Sequence, residues 1–179
     1  AGKMELVHTD YHLKTLVGEV VGMMDMAASK RGLILKYECD DTLPCRYRGD
    51  EGRIKQILIN ILNNAIKFTK EGYVRASVTG EPGGQEDEEL ITFRVEDTGC
   101  GIHEEDLGKI FEDFRQVDAK RNRSVEGTGL GLAIVRHLVE LMGGTIRVES
   151  VYGSGTTVSI TIPQKILDRR TIAEMPEPP

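Results

Sequence analysis

The sequence predicts an α/β sandwich (α+β): a mixed β-sheet packed on one face by helices. Three observations point there. Residues 13–28 and 54–65 repeat apolar side chains at helical spacing. Alternating apolar runs come in pairs, 73–79 with 90–96 and 145–150 with 156–162, as antiparallel meanders are written, and helical sequence separates the pairs. The βαβ repeats with a Gly-rich first turn that a Rossmann unit needs are absent.

In chain order, residues 1–12 are short and polar and read as a segment from upstream of the domain. The first helix carries Leu13, Leu16, Val17, Val20, Val21 and Met24 on one stripe, is weakened locally by Gly18 and Gly22, and stops at Lys30-Arg31-Gly32. Met23, Met24 and Met26 read as core filler. Residues 33–39 alternate as a strand with one wet face; residues 40–49, with Pro44, read as a loop to which Tyr47-Arg48 adds a short extended piece. Asp50 suits the N-cap of a second helix, whose stripe of Ile54, Ile57, Leu58, Ile61, Leu62 and Ala65 runs to about Phe68. Between the strands 73–79 and 90–96, Pro82, Gly83, Gly84 and a run of acids make a solvated connection. A short helix over 104–111 follows, with Glu104, Glu105 and Asp106 in its first turn and Leu107, Ile110, Phe111 and Phe114 as anchors. Residues 115–126 have no periodicity, carry Arg115, Lys120, Arg121 and Arg123, and read as a mobile lid. The last helix ends at Gly143-Gly144, residues 151–155 form a hairpin turn, and Pro163 ends the sheet. The expected organisation is thus an N-terminal segment 1–12, a domain 13–163 with its lid over about 102–126, and a linker or tail 164–179.

Bulk properties limit the function classes. The chain has 179 residues, 39% hydrophobic and 29% charged, which suits one soluble globular domain. A formal net charge of -6 argues against a nucleic-acid partner. No run approaches the roughly 18 apolar residues of a membrane span, and no secretory signal opens the chain, so a cytoplasmic domain is expected. Cys39, Cys45 and Cys100 have no metal-ligand spacing and read as reduced thiols.

Two glycine-punctuated segments carry the chemistry, Asp97-Thr98-Gly99-Cys100-Gly101 and Gly127-Thr128-Gly129-Leu130-Gly131. Glycine lets backbone approach a ligand, and a Gly-rich turn feeding a helix presents N–H groups to an anion. Either segment alone reads equally well as an ordinary turn. The second helix adds a polar stripe, Arg53, Gln56, Asn60, Asn64 and Lys67, where asparagine is a poor choice for an ordinary helix interior. An amide oxygen can join the oxygen shell of Mg2+ and a lysine can meet phosphate, so Asn64 and Lys67 could share a triphosphate; solvation of a surface face is the plainer account. Asp97 could accept from an exocyclic amine and so tell adenine from guanine, or serve only as a turn residue. Neither a GxxxxGK[ST] loop nor the protein-kinase motif set is present.

Asn60 to Asn64 with Lys67, Asp97 to Gly101, Phe111 to Phe114 and Gly127 to Leu132 resemble, in order and spacing, the N, G1, F and G2 boxes of the sensor histidine kinase catalytic domain. That family shares the Bergerat ATP-binding fold with DNA gyrase B, Hsp90 and MutL. The resemblance runs from about Tyr11 to Pro163, and Asn64-Ala-Ile-Lys-Phe-Thr69 marks the histidine kinase branch. It implies an ATP and Mg2+ site in which Asn64 is the metal ligand, Lys67 contacts phosphate and Asn60 positions the γ-phosphate region. It further implies that Asp97 binds the adenine amine, that Gly99 and Gly101 shape the base pocket, that Gly129 and Gly131 contact the phosphates, and that Ile102, Thr128, Leu130, Leu132 and Thr156 also belong to the nucleotide site. Phe111 and Phe114 would anchor the lid, with Phe111 also at the nucleotide, and Arg115 would reach ATP or the partner helix. With Asn60, Lys67 and Arg115 as the catalytic set, the γ-phosphoryl would pass to a histidine on a separate helical hairpin.

Two departures stand out. Glu126 occupies a position where the family commonly has glycine, and the hairpin with its phosphoacceptor is missing: His8, His12, His103 and His137 lie in the wrong contexts. The expected partners are that dimerisation hairpin and a response regulator receiver domain, the parent protein being a homodimer, membrane-anchored or not, and this piece a monomer. Two alternatives are a regulatory ATP-binding module of the same fold without phosphotransfer, and a gyrase- or MutL-type ATPase. Asn60, where those ATPases use a glutamate base, argues against the latter.

Overall fold

A computed structural model of the chain describes residues 5–111 and 132–175. The elements run β1 (Thr9–His12), α1 (Leu13–Lys30), β2 (Ile34–Cys39), β3 (Pro44–Gly49), α2 (Glu51–Lys67), β4 (Tyr73–Pro82), β5 (Glu88–Asp97), α3 (Glu104–Leu107), α4 (Ala133–Leu141), β6 (Thr145–Val151) and β7 (Gly155–Thr171). The strands form one seven-stranded sheet, ordered β1-β3-β7-β5-β4-β2, with β6 also paired to β7. β7 is its spine. On one side it follows β5 from Asp97↔Thr156 to Glu88↔Lys165. On the other it takes β6 along its first half (Ile146↔Ile160) and β3 along its second (Tyr47↔Ile166). These pairs are antiparallel, whereas β2 and β4 run parallel (Tyr37↔Ala76), so the sheet is mixed as predicted.

The apolar stripes of α1, α2 and α4 meet alternate residues of the strands. Leu16 and Val20 of α1, Ile57 and Ile61 of α2, and Leu138 of α4 are buried with Val74, Phe93 and Ile160 in one core. Each such side chain contributes about 1.5–3 kcal/mol by leaving water. Residues on the opposite strand face are polar: the Thr92 and Thr161 hydroxyls, neighbours across β5 and β7, lie 2.8 Å apart.

The structure differs from the sequence expectations at the edges. Thr9–His12 of the supposed upstream segment form a strand on β3, where Tyr11 stacks on Tyr47 and donates its hydroxyl hydrogen to Gln164 Oε1 at 2.8 Å. The expected loop 40–49 contains the whole of β3; Cys45 and Tyr47 point into the core between exposed Arg46 and Arg48, a period-2 pattern disguised by its arginines. Pro163 does not end the sheet, and Gln164 onward is not a free tail: β7 continues to Thr171, burying Gln164 and Ile166. Pro163 sits where β6 pairing has stopped at Thr161 and β3 pairing has not begun before Lys165, so its missing N–H falls in a gap between partner strands. The short helix closes at Leu107 and continues to Phe111 as turns rather than helix. Of the three methionines read as core filler only Met24 is buried; Met23 and Met26 are exposed.

Candidate functional site

α2 delivers the polar stripe, and its ends are well fixed. Asp50 Oδ1 accepts from Arg53 N–H at 3.0 Å, the predicted N-cap. At the other end the Thr69 hydroxyl donates to Ala65 O at 2.7 Å, and Phe68 N–H donates to Asn64 O at 3.0 Å. Between them, Asn64 Nδ2 donates to Asn60 Oδ1 at 3.3 Å, so the two amides one turn apart orient each other. Lys67 is exposed, with its ammonium 5.4 Å from the Phe68 ring centroid.

Asp97 ends β5 opposite Thr156, the second residue of β7. Its Oδ1 accepts two backbone N–H bonds, from Gly99 at 2.9 Å and from Thr156 at 3.2 Å. Burial pushes the Asp97 carboxyl above the ordinary aspartate value, and the two N–H bonds oppose that rise. The loop after Asp97 is pressed against its neighbours. A Cβ on Gly99 would strike the Phe68 carbonyl oxygen, and one on Gly101, which sits at φ 72°, would strike that of Val151. Cys100 N–H donates to Phe68 O at 3.3 Å, tying the loop to the end of α2. Leu132 enters α4 through its N–H bond to Ile110 O at 3.0 Å, and is fully buried.

These pieces enclose one pocket. Of the predicted residues, Asn64, Asp97, Gly101, Ile102, Leu132 and Thr156 line it. Asn60 stands a turn behind Asn64, Gly99 lies under the loop, and Lys67 lies at the end of α2 beside Phe68. Phe111 is half-buried with the Arg136 guanidinium 5.2 Å from its ring centroid, outside the pocket wall. Arg115, Phe114, Glu126, Thr128, Gly129, Leu130 and Gly131, with residues 112–126 of the lid reading, lie outside the described residues, while residues 102–111 of it form α3 and the turns beside it. The sequence reading missed the apolar walls: Val95, Val158 and Phe68 face the cavity, though periodicity marks the two valines only as core. It also missed Ser150, whose Oγ accepts from Ile102 N–H at 2.8 Å and lies 2.9 Å from Thr156 Oγ1. A lone serine late in a strand carries no sequence signal for that role.

A helix bearing paired asparagines thus shares one pocket with a carboxylate held in a glycine turn at the end of a mixed sheet. The family model of the histidine kinase-, DNA gyrase B- and HSP90-like ATPases matches residues 49–166, and the chain belongs to that family. Its relatives there are sensor kinases. It is 40% identical over 163 residues to hybrid signal transduction histidine kinase B of Dictyostelium discoideum, covering 91% of this chain and 8% of that protein. It is 38% identical over 171 residues to the autoinducer 2 sensor kinase/phosphatase LuxQ of Vibrio cholerae, covering 94% and 19%. The chain thus spans under a quarter of these relatives' lengths. Among solved structures, full-length ShkA in complex with AMPPNP superposes with a TM-score of 0.77 at 33% identity, covering 94% of this chain and 33% of that one. The catalytic domain of histidine kinase ThkA gives 0.63 at 30% identity, covering 90% and 97%.

Proposed function

We propose that this chain is the ATP-binding catalytic domain of a two-component sensor histidine kinase, which binds Mg-ATP and donates the γ-phosphoryl to a histidine on a separate dimerisation hairpin. The observation that carries this is the placing of Asp97 and Asn64 in one pocket, with both N–H bonds to Asp97 falling on Oδ1. Oδ2 takes no hydrogen bond from the described residues. It accepts from the adenine exocyclic amine, where guanine would present a carbonyl oxygen and repel it. Val95, Val158 and Ile102 supply apolar walls for the base.

The residues present fit a magnesium–triphosphate group. Among the described residues no cluster of three His, Cys, Asp or Glu side chains could hold a metal alone. A site of one amide oxygen completed by phosphate and water is what Mg2+ accepts. Asn64, oriented by Asn60, is the protein ligand, and Lys67 meets phosphate as a point charge. When bound, the metal neutralises charge on the phosphates during transfer. By the family resemblance, Gly129 and Gly131 would contact the phosphates, and Arg115 would reach ATP or the hairpin. The partners are the hairpin and a receiver domain, the parent a homodimer, and the location cytoplasmic. No helix among the described residues is long and apolar enough to cross a membrane.

The test is an ATP titration of wild type and Asp97→Asn, with and without Mg2+. The substitution removes a hydrogen bond to a charged group, so about a 10- to 100-fold weaker affinity is expected. Equal binding by both proteins overturns the base assignment. Supplying the hairpin in trans then separates kinase from regulatory module: a phosphohistidine formed from ATP supports transfer, and ATP binding without it favours the module.

A further inference from the structure

The turn between β6 and β7, residues 151–155, reads in sequence as a plain hairpin connection, and its tip is exposed, Val151 by 67% and Tyr152 by 58%. The structure nevertheless docks it on the loop that follows Asp97. Gly153 N–H donates to Cys100 O at 2.6 Å. Ser150 Oγ, which accepts from Ile102 N–H, lies 2.9 Å from the Gly155 carbonyl oxygen and donates to it. A Cβ on Gly155 would strike the Asp97 carbonyl, as one on Gly101 would strike Val151. The two glycine turns therefore pack backbone on backbone, with no room for side chains between them. On the outer side of this joint the rings of His103 and Tyr152 stack, centroids 3.6 Å apart and planes 18° apart.

His103 directly follows Ile102, which is 5% exposed and lines the pocket. It caps α3 through its backbone alone: Asp106 N–H donates to His103 O at 2.9 Å, and its side chain makes no capping bond. Among the described residues the imidazole packs on the Tyr152 ring, and stacked rings shield each other's faces from water. Tyr152 does not itself line the pocket.

We infer that Tyr152 is a positioning residue for the base end of the pocket: by stacking on His103 it clamps the chain leaving Ile102, and so holds Ile102 and the Gly101 turn in the wall against which adenine lies. This rests on the ATP reading above. Losing the clamp lets the loop sample positions in which the pocket is wider, so the bound geometry is populated less and apparent affinity falls in proportion.

The experiment measures equilibrium binding of ATP and ADP by the 179-residue chain, beside its melting temperature, for wild type, Tyr152→Ala, Tyr152→Phe, His103→Ala and the double alanine variant. Tyr152→Ala is expected to weaken ATP and ADP alike, about threefold to tenfold, the size of an aromatic pair. Tyr152→Phe keeps the ring and restores wild-type binding. His103→Ala matches Tyr152→Ala, and the double variant is no weaker than either single one, because both remove one contact. Wild-type affinity in Tyr152→Ala, a Tyr152→Phe as weak as the alanine, additive losses in the double variant, or losses that merely follow melting temperature overturn the clamp. Should Asp97→Asn lose ATP while Tyr152→Ala does not, the clamp alone falls; should wild type bind no ATP, the function and the clamp fall together.

Discussion

The two ends of the pocket are built in different ways. At the proposed base end, Asp97, Gly99, Gly101 and Thr156 belong to strand ends and turns whose backbones touch one another, and the carboxylate is held by two N–H groups that are themselves fixed. At the proposed phosphate end, Asn60, Asn64 and Lys67 stand on one face of a helix, and Lys67 is exposed. The proposed base site is therefore preorganised as part of folding, while the proposed phosphate site would be free to adapt to metal and ligand. Changes at the base end should disturb the fold as well as binding. Changes at the phosphate end should disturb binding alone.

Gly101→Ala gives the largest expected effect. It places a Cβ in the left-handed region, which alone costs about 1–2 kcal/mol, and drives it into the Val151 carbonyl. A loss of at least about 2 kcal/mol follows, seen as a fall in melting temperature of about 4–8 °C for a chain of this size, together with lost ATP binding. Gly153→Ala is the control: its φ is also positive, at 88°, but nothing lies within 4 Å of the new Cβ. It should incur the conformational term alone and leave ATP affinity intact. Equal losses in the two variants would mean that close packing of the turns is not what fixes the base end.

Asn64→Ala and Lys67→Ala should do the reverse, leaving the melting temperature within about 2 °C, since half-buried or exposed polar positions on a helix change stability by about 0.5 kcal/mol or less. ATP affinity should fall about tenfold in each, as expected for removal of one charge-assisted contact. For Asn64→Ala the loss should disappear when Mg2+ is chelated; for Lys67→Ala it should persist. A Mg2+-independent loss in Asn64→Ala would remove that residue from the metal shell.

The same contrast explains what the sequence disclosed. Asn60, Asn64 and Lys67 are legible because a helix face repeats every three or four residues, so chemistry on it leaves a period. The core stripes of α1 and α2 are legible for the same reason. Asp97 and its glycines are legible as a turn, but what they are pressed against is not: Val151 and Gly155 lie some fifty residues on, and that pairing exists only after β5 and β7 align. The edges of the sheet escaped for another physical reason. β1 and the far half of β7 are strands made largely of polar residues around a few buried anchors, Tyr11, Gln164 and Ile166, and alternation is faint when one face is solvated and the other holds a tyrosine–glutamine bond.

The smallest effect is a pH dependence confined to the base end. Burial raises the Asp97 carboxyl above 3.8, its ordinary value. With the folded pKa above the unfolded one, the contribution of this group to stability is complete below the unfolded value and is lost as pH rises through the folded one. Ionised Asp97 is thus a burden on the empty domain, and the proposed adenine amine would relieve it by donating to the charged form. ATP binding should favour the ionised carboxylate, so affinity falls as pH drops through the raised folded pKa, beginning at higher pH than an ordinary aspartate would allow. The phosphates of ATP titrate as well, but identically for wild type and Asp97→Asn. The difference between the two affinity profiles therefore isolates the carboxylate: it should narrow as pH falls, because protonation leaves the wild type with a neutral side chain, as the asparagine always has. Parallel profiles down to the acid limit of folding would place the titrating carboxylate away from the base and reduce Asp97 to a brace for the Gly99 turn.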